Sequence, residues 1–411
     1  MQAENKKNNI KTLSFGCRLN ALELEKIRNM LGGAIDTAIV VNTCAVTAEA
    51  ERQSGQAVRK LGRENPNAPI FITGCAATRN PGLFRDIPNT VVIPNCDKMR
   101  IGAYIDALNA TPCNFSVPTI TKFNHPAPQL SKQFIQVQNG CNHQCTYCIT
   151  RMLRGPAVSF DYNAILQDAH NAVQNGFNEI VLTGVDTASY ANNGMLISDV
   201  CAGLLRDVPG IQRLRISSFD PASPQVFKII ELMHNDKRMM PHMHLSMQSG
   251  SDTILRAMQR RHTADTVRRI VRAAGPEITF SWDIICGFPG ESDELFRETM
   301  DLVSQTRPVK IHAFPFSPRP GTPAANMPGQ VKRDISKQRV HKITALAEAN
   351  RAEFMRAHLG QTVPVLVEEH NIARTPHDIS VKINGAIIPA RTICNVKLVG
   401  ISDDKYIGER M

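Results

Sequence analysis

The chain has no apolar run approaching the length of a membrane span, and Met1 to Asn9 is polar, so neither a spanning helix nor a secretory signal peptide is expected. A cytoplasmic protein with no membrane partner is the expectation. Paired Cys-x-x-Cys knuckles are missing as well, since Cys145 and Cys148 stand alone at that spacing, which argues against a zinc-stabilised scaffold. No histidine or carboxylate stands in a pattern that marks a general acid or base. From His358 onward six lysines and arginines face six acids, and Tyr406 is the only aromatic able to stack on a base. That region has little of its own with which to hold RNA.

What is present is cysteine and positive charge. Eleven cysteines in 411 residues, without the setting of a disulfide framework, point to metal or redox chemistry. The net charge of +10 favours a polyanionic partner, with nucleic acid the obvious candidate. The length suggests two or three domains. The most informative stretch is Gln138 to Cys148, which holds Cys141, Cys145 and Cys148 directly after the apolar run Phe134–Val137. A structural zinc site closes with four ligands, and a self-contained cubane cluster takes four cysteines. Three cysteines on a cubane leave one iron open to a substrate or cofactor; a zinc site completed by His143 or His125 is the alternative.

In chain order, Thr12–Phe15, Ala38–Val41 and Ile70–Thr73 are short strand-like runs, each followed by a turn and a helical pattern, so residues 9–110 read as a doubly wound α/β domain. Cys17, Cys44 and Cys75 each follow one of these runs. In an open parallel sheet the ligand site lies at the carboxyl ends of the strands, so these thiols are expected to meet on one edge. Cys96, Cys113, Cys201, Cys286 and Cys394 have no such placement and read as packing residues. Prolines between Ala110 and Ser131 suggest an extended connection. Residues 132–356 then offer six strand candidates: Gln133–Val137, Glu179–Thr183, Arg213–Ser217, His242–Met247, Thr279–Cys286 and Lys310–Phe316. Six βα units are too few for a closed eight-stranded barrel, so a partial (β/α)6 barrel is expected, with its active site on the loops after the strands. Tyr162, Ile165, Leu166, Ala169 and Val173 recur at helical spacing in the first such unit. Ser251 and Ser292 are expected as helix N-caps. Arg256, Arg260, Arg261, Arg268, Arg269 and Arg272 read as one charged helix, and Lys332, Arg333, Lys337, Arg339 and Lys342 as another; both are expected to meet phosphates if RNA binds. Alternation at Val363, Val365 and Val367, and again at Val381 and Ile383, predicts a small antiparallel β barrel over 358–411.

The chain resembles the radical S-adenosylmethionine (SAM) methylthiotransferases over nearly its whole length. The resemblance rests on the spacing of Cys141, Cys145 and Cys148 with Tyr147 before the last, on the trio Cys17, Cys44 and Cys75, and on Arg215-Ile-Ser-Ser218, Met247-Gln-Ser-Gly-Ser-Asp252, Gly287-Phe-Pro-Gly-Glu291 and Phe314-Pro-Phe-Ser-Pro-Arg-Pro-Gly-Thr-Pro323. Gly16-Cys-Arg-Leu-Asn20 and Asn42-Thr-Cys-Ala-Val-Thr47 look most like the subgroup that modifies threonylcarbamoyladenosine beside the tRNA anticodon; Gly74-Cys-Ala-Ala-Thr78 departs from the usual pattern, which has glutamine in place of Thr78. The resemblance implies two 4Fe-4S clusters and SAM. Cys141, Cys145 and Cys148 would hold the cluster at which SAM is cleaved to a deoxyadenosyl radical, and Cys17, Cys44 and Cys75 the cluster that carries sulfur to carbon 2 of the adenine. It implies Tyr147, Gly184, Ser217, Gln248 and Phe288 as cofactor contacts and a TRAM-like terminal domain. The anticodon stem-loop of tRNA would be the substrate, a reduced flavodoxin or ferredoxin the electron donor, and the enzyme a monomer. Related branches act on isopentenyladenosine in tRNA or on an aspartate of a ribosomal protein.

Overall fold

The computed structural model describes residues 9–110, 119–123, 125 and 131–411, which fold as two compact units. The first takes the described residues up to 125 together with 149–156; the second takes 131–148 and 157–411.

The first unit is built on four parallel strands, Asn9–Ser14, Thr37–Thr43, Ile70–Gly74 and Thr90–Val92, side by side in chain order. The fourth is three residues long, too short to leave a periodic signal. Successive residues of the second strand face opposite layers. Ala38 and Val40 pack with Leu24, Ile27 and Leu31 of the helix Arg18–Leu31, whereas Ile39 and Val41 pack with Val58 and Leu61 of the helix Ala48–Glu64. Helices thus cover both faces, as the doubly wound reading requires, although the strand order never reverses. The segment 149–156 belongs here because Ile149 and Leu153, flanking and within the helix Thr150–Arg154, join the core around Val58 and Phe84. Most of the Pro-rich connection, with Cys113, lies outside the described residues. Its described part packs back rather than extending: Asn65 Oδ1 accepts from the backbone N–H groups of Thr121 and Lys122 at 2.9 Å each.

In the second unit six parallel strands run Gln133–Gln136, Glu179–Thr183, Arg213–Ile216, His242–Gln248, Thr279–Cys286 and Lys310–Pro315. They agree with the sequence candidates to within a residue. The sheet is broken once, at Ser217: Arg213–Ile216 pairs back to Glu179–Thr183, and Ser218–Phe219 pairs forward to His242–Gln248. Met243, Leu245 and Met247 point to the helix layer, so His242, His244, Ser246 and Gln248 take the opposite face, half-buried. The helix Tyr162–Gln174 is capped by Asp161, whose side chain accepts from Asn163 N–H at 2.8 Å. Ser292 caps Asp293–Thr306, while Ser251 holds the N-cap position of Asp252–Ala257 without a side-chain cap bond.

Residues 362–410 close a five-stranded barrel, antiparallel except where Ser380–Asn384 pairs parallel to Lys405–Arg410. It is docked at the amino ends of the first three strands by a buried ion cluster. Glu179 is fully buried and lies 2.9 Å from Arg215, 3.3 Å from Lys132 and 3.4 Å from Arg213. From there Lys132 reaches Glu368 at 3.1 Å, and Arg213 donates to the carbonyl of Pro364 at 2.7 Å. Burial alone would raise the Glu179 carboxyl, but Arg215, Lys132 and Arg213 outweigh it and hold it at about 2.

The arginine-rich stretch is corrected by the structure. Arg256 ends the helix Asp252–Ala257, Arg260 and Arg261 lie in the following loop, and Arg268, Arg269 and Arg272 belong to the separate helix Ala264–Ala274. Arg260 is buried, and so is Arg339, which holds Glu291 and Asp293 at 2.7 Å each. Neither is available to a phosphate. Cys96 is exposed and Cys394 half-buried, so of the described cysteines read as packing residues only Cys201 and Cys286 lie in the core.

Candidate metal centres and cofactor rim

The first cysteine cluster follows the first barrel strand, at its carboxyl end. Gln138 is fully buried and fixes the loop at both sides, its Nε2 donating to the carbonyls of Asn139 and Gly140 and its Oε1 accepting from the N–H groups of Val185 and Asp186. Gly184 abuts Gln138, and a Cβ there would come within 2.9 Å of the Gln138 carbonyl oxygen. The glycine thus lets the second rim loop close on the first. Thr146 anchors the far side, accepting and donating bonds at Met258, Ala257 and Ala324. Between these anchors the three thiols are near enough for Cys145 and Cys148 to oppose ionisation of Cys141, whose thiol burial pushes up to about 11. Without a cation to hold, it stays protonated at neutral pH; a metal would have to draw it into the thiolate form.

Arg260, read from the sequence only as part of a charged helix, and His143, weighed there as a zinc ligand, stand beside the thiols. Arg260 Nη1 lies 3.8 Å from Cys145 Sγ, and its Nη2 donates to Asp220 at 3.0 Å and to the Ser246 carbonyl at 2.7 Å. His143 Nε2 is 2.7 Å from Asp186 and 2.9 Å from Arg261 Nη2. Cys141, His143 and Asp186 are close enough to share one cation. His125, the other histidine weighed for a zinc site, packs against Phe123 in the first unit at 5.2 Å between ring centroids.

The remaining rim residues divide. Ser217 sits at the sheet break with its N–H bonded to the Leu182 carbonyl at 2.9 Å and its hydroxyl oxygen buried without a partner among the described residues. Gln248 ends its strand at φ 70°, a left-handed conformation rare for glutamine and found where a site imposes it. An orphaned hydroxyl and a strained glutamine at strand carboxyl ends fit a polar cofactor. Tyr147 is half-buried, its ring edge-on to Phe288 at 6.4 Å between centroids. Phe288 corrects an expectation: it is fully buried among Ile254, Met258, Ala324 and Phe316, so its ring has no surface to offer a cofactor and serves to back Tyr147.

In the first unit the second trio stands at the carboxyl ends of the first three strands. Cys17 is the N-cap residue of Arg18–Leu31, Cys44 follows Thr37–Thr43, and Cys75 opens the short helix Cys75–Arg79. The thiols of Cys17 and Cys75 both act on Cys44, which burial pushes up to about 11. Gly16, at φ 88°, lets the chain turn against the Cys44 side chain. Gly74, at φ 97°, does the same for Cys75, and a Cβ there would overlap Asn42 Oδ1 and the Thr43 backbone. Gly74→Ala is therefore expected to cost ~3 kcal/mol, read as a shift in denaturant midpoint, with loss of iron from this trio. Beside the thiols lie Lys98 and Arg154, 2.7 and 2.8 Å from the buried Glu23. Burial raises the Glu23 carboxyl, but Arg154 and Lys98 outweigh it and bring it below its ordinary value.

Among known proteins, the radical SAM superfamily profile matches residues 135–303 and that of the uncharacterized protein family UPF0004 matches residues 9–93. The threonylcarbamoyladenosine tRNA methylthiotransferase of Rickettsia prowazekii is 38% identical over 95% of this chain and 95% of its own. A tRNA-2-methylthio-N6-dimethylallyladenosine synthase of Erythrobacter litoralis is 31% identical over 86% of this chain and 85% of its own. A radical SAM methyltransferase of Kitasatospora setae, solved with cobalamin and a 4Fe-4S cluster, shares the fold at a TM-score of 0.57 and 13% identity, covering 78% of this chain and 77% of that one. Near full-length similarity, with one thiol trio on the loop after the first barrel strand and the other at the carboxyl ends of three parallel strands, places this chain in the radical SAM methylthiotransferase family, with the threonylcarbamoyladenosine tRNA methylthiotransferases.

Proposed function

We propose that this chain adds a methylthio group to carbon 2 of N6-threonylcarbamoyladenosine next to the anticodon of tRNA. The observation that carries this reading is the presence of two separate trios of thiols, each one ligand short of closing a cubane. Cys141, Cys145 and Cys148 would hold one 4Fe-4S cluster and Cys17, Cys44 and Cys75 the other. With SAM bound, the first cluster supplies one-electron chemistry able to take hydrogen from an adenine carbon that has little acidity and no good leaving group.

The chain's own residues do the rest. Gln138 and Thr146 fix the first thiol loop. Arg260 places positive charge on Cys145 and is itself aligned by Asp220. Ser217 and Gln248 offer polar groups to SAM from adjacent strand ends, Gly184 lets the second rim loop seat against Gln138, and Tyr147, backed by Phe288, covers the cluster side against water. For the RNA, Arg256, Arg269, Arg272, Lys332, Arg333, Lys337 and Lys342 remain exposed and can meet phosphates, so binding should weaken steeply with salt. No helix among the described residues is long and apolar enough to cross a membrane. The enzyme acts as a cytoplasmic monomer that takes electrons from a reduced flavodoxin or ferredoxin.

The test is nucleoside mass spectrometry after anaerobic incubation with SAM, a reductant and unmodified-at-carbon-2 tRNA. Methylthiolation of threonylcarbamoyladenosine is expected. Product confined to isopentenyladenosine, or to an aspartate of a ribosomal protein, overturns the substrate assignment while keeping the chemistry.

A further inference from the structure

The second thiol trio sits beside a buried charge cluster. Among the described residues Lys98 and Arg154 bring two cations to it and Glu23 one anion, with all three side chains at most 4% exposed. The cations connect to the thiols through two asparagines. Arg154 Nη2 donates to Asn20 Oδ1 at 2.7 Å, the same oxygen that lies 3.7 Å from Cys17 Sγ. On the other side, Lys98 Nζ donates to Asn95 Oδ1 at 3.1 Å, and Asn95 Nδ2 reaches Cys75 Sγ at 3.9 Å and the Leu153 carbonyl at 3.0 Å. Asn42, two residues before Cys44, donates to Glu23 at 3.3 Å. A continuous chain of polar contacts thus joins Cys17 to Cys75 through the ion cluster. Arg154 enters it from the stretch that carries the other trio, six residues after Cys148.

Such a chain is more than a structural filler needs. A buried cation pair with only one anion is costly unless a further negative group shares the site. A 4Fe-4S core on three thiolates is negatively charged and gains another unit of charge when it takes up one electron from an external donor, with no proton required. Positive charge close to it, in a medium of low dielectric, favours the reduced form. We propose that Arg154, with Lys98, is a positioning residue that sets the reduction potential of the second cluster by its charge. This rests on the reading of Cys17, Cys44 and Cys75 as cluster ligands. In sequence, the stretch that supplies Cys141, Cys145 and Cys148 runs on into the helix Thr150–Arg154, which supplies charge to the second trio.

The test is an EPR-monitored redox titration of the full chain carrying Cys141→Ala, Cys145→Ala and Cys148→Ala, so that only the second cluster loads, with and without changes at Arg154. Arg154→Gln is expected to lower the reduced-to-oxidised ratio at fixed potential about tenfold, equivalent to ~59 mV for a one-electron couple, while Arg154→Lys stays close to the parent. An unchanged ratio in Arg154→Gln overturns the proposal. So does an equal fall in Arg154→Lys, because geometry rather than charge then matters. Should Arg154→Gln not load iron, a loaded Arg154→Lys at the parent potential supports the charge role, and failure of both to load shows a guanidinium that serves only the fold. A parent that itself holds no iron removes the second cluster and this proposal with it; a parent with about four irons and an unshifted Arg154→Gln sinks this proposal alone.

Discussion

Replacing Cys17, Cys44 and Cys75 together by alanine is expected to halve the iron, from about eight to about four per chain as two cubane clusters require, and to reduce methylthio transfer to background while SAM cleavage continues. The separation follows from where the trios stand, each in its own compact unit. Loss of one leaves the anchors of the other, Gln138 and Thr146, untouched. The converse variant, lacking Cys141, Cys145 and Cys148, should keep about four irons and lose both activities. Iron and labile sulfide after anaerobic reconstitution, with deoxyadenosine and modified nucleoside counted in the same samples, read all of these. A wild type that holds only about four irons and loses none in the first variant would make the N-terminal thiols packing residues, and the sulfur-inserting reading would have to be withdrawn.

The second large effect lies far from either trio in the sequence. Glu179→Ala is expected to destabilise the second unit by ~3–5 kcal/mol, because removing one partner from a buried ion cluster leaves the others uncompensated. Arg215, Lys132 and Arg213 converge on this carboxylate, and among the described residues Asp378 and Glu368, which Arg374 also engages, remain to balance them. The same carboxylate sets a pH dependence. Its folded value, about 2, lies below the unfolded value near 4.5, so its contribution is complete above about pH 4.5 and disappears as pH falls through about 2. Denaturant midpoints of wild type and Glu179→Ala should therefore differ most near neutrality and converge in acid. A constant gap across that window would show that the loss comes from packing rather than charge.

The corrections share a cause. The six barrel strands were legible because half-buried strands alternate and fully buried ones are β-branched runs, signals that survive in any single stretch. The helical grouping of Arg256 to Arg272 failed because spacing does not show that the chain breaks after Ala257 and restarts at Ala264, nor that Arg260 turns inward to Cys145. Phe288 was read as a cofactor contact from its place on a rim loop; burial among Ile254, Met258 and Phe316 is a property of what packs there, which the loop's own residues do not state. Gln138, Asp220 and Arg154 were missed as site residues for the same reason, though Gln138 stands inside the stretch Gln138 to Cys148 and Arg154 six residues after it.

By itself the sequence determined the motifs that carry the family resemblance: cysteine spacing is local, glycines before Cys17 and Cys75 are local, and three thiols in eight residues left only an open-iron cluster or a zinc site to weigh. It also determined the order of elements, since periodicity is a property of short windows. Only the tertiary structure decided which charges act on those thiols. Glu23, Lys98 and Arg154 are 75 and 56 residues apart along the chain, yet they share one buried cluster beside Cys17 and Cys75. Electrostatic influence depends on distance and on the exclusion of water, and both are fixed only when sheet and helices close over the site.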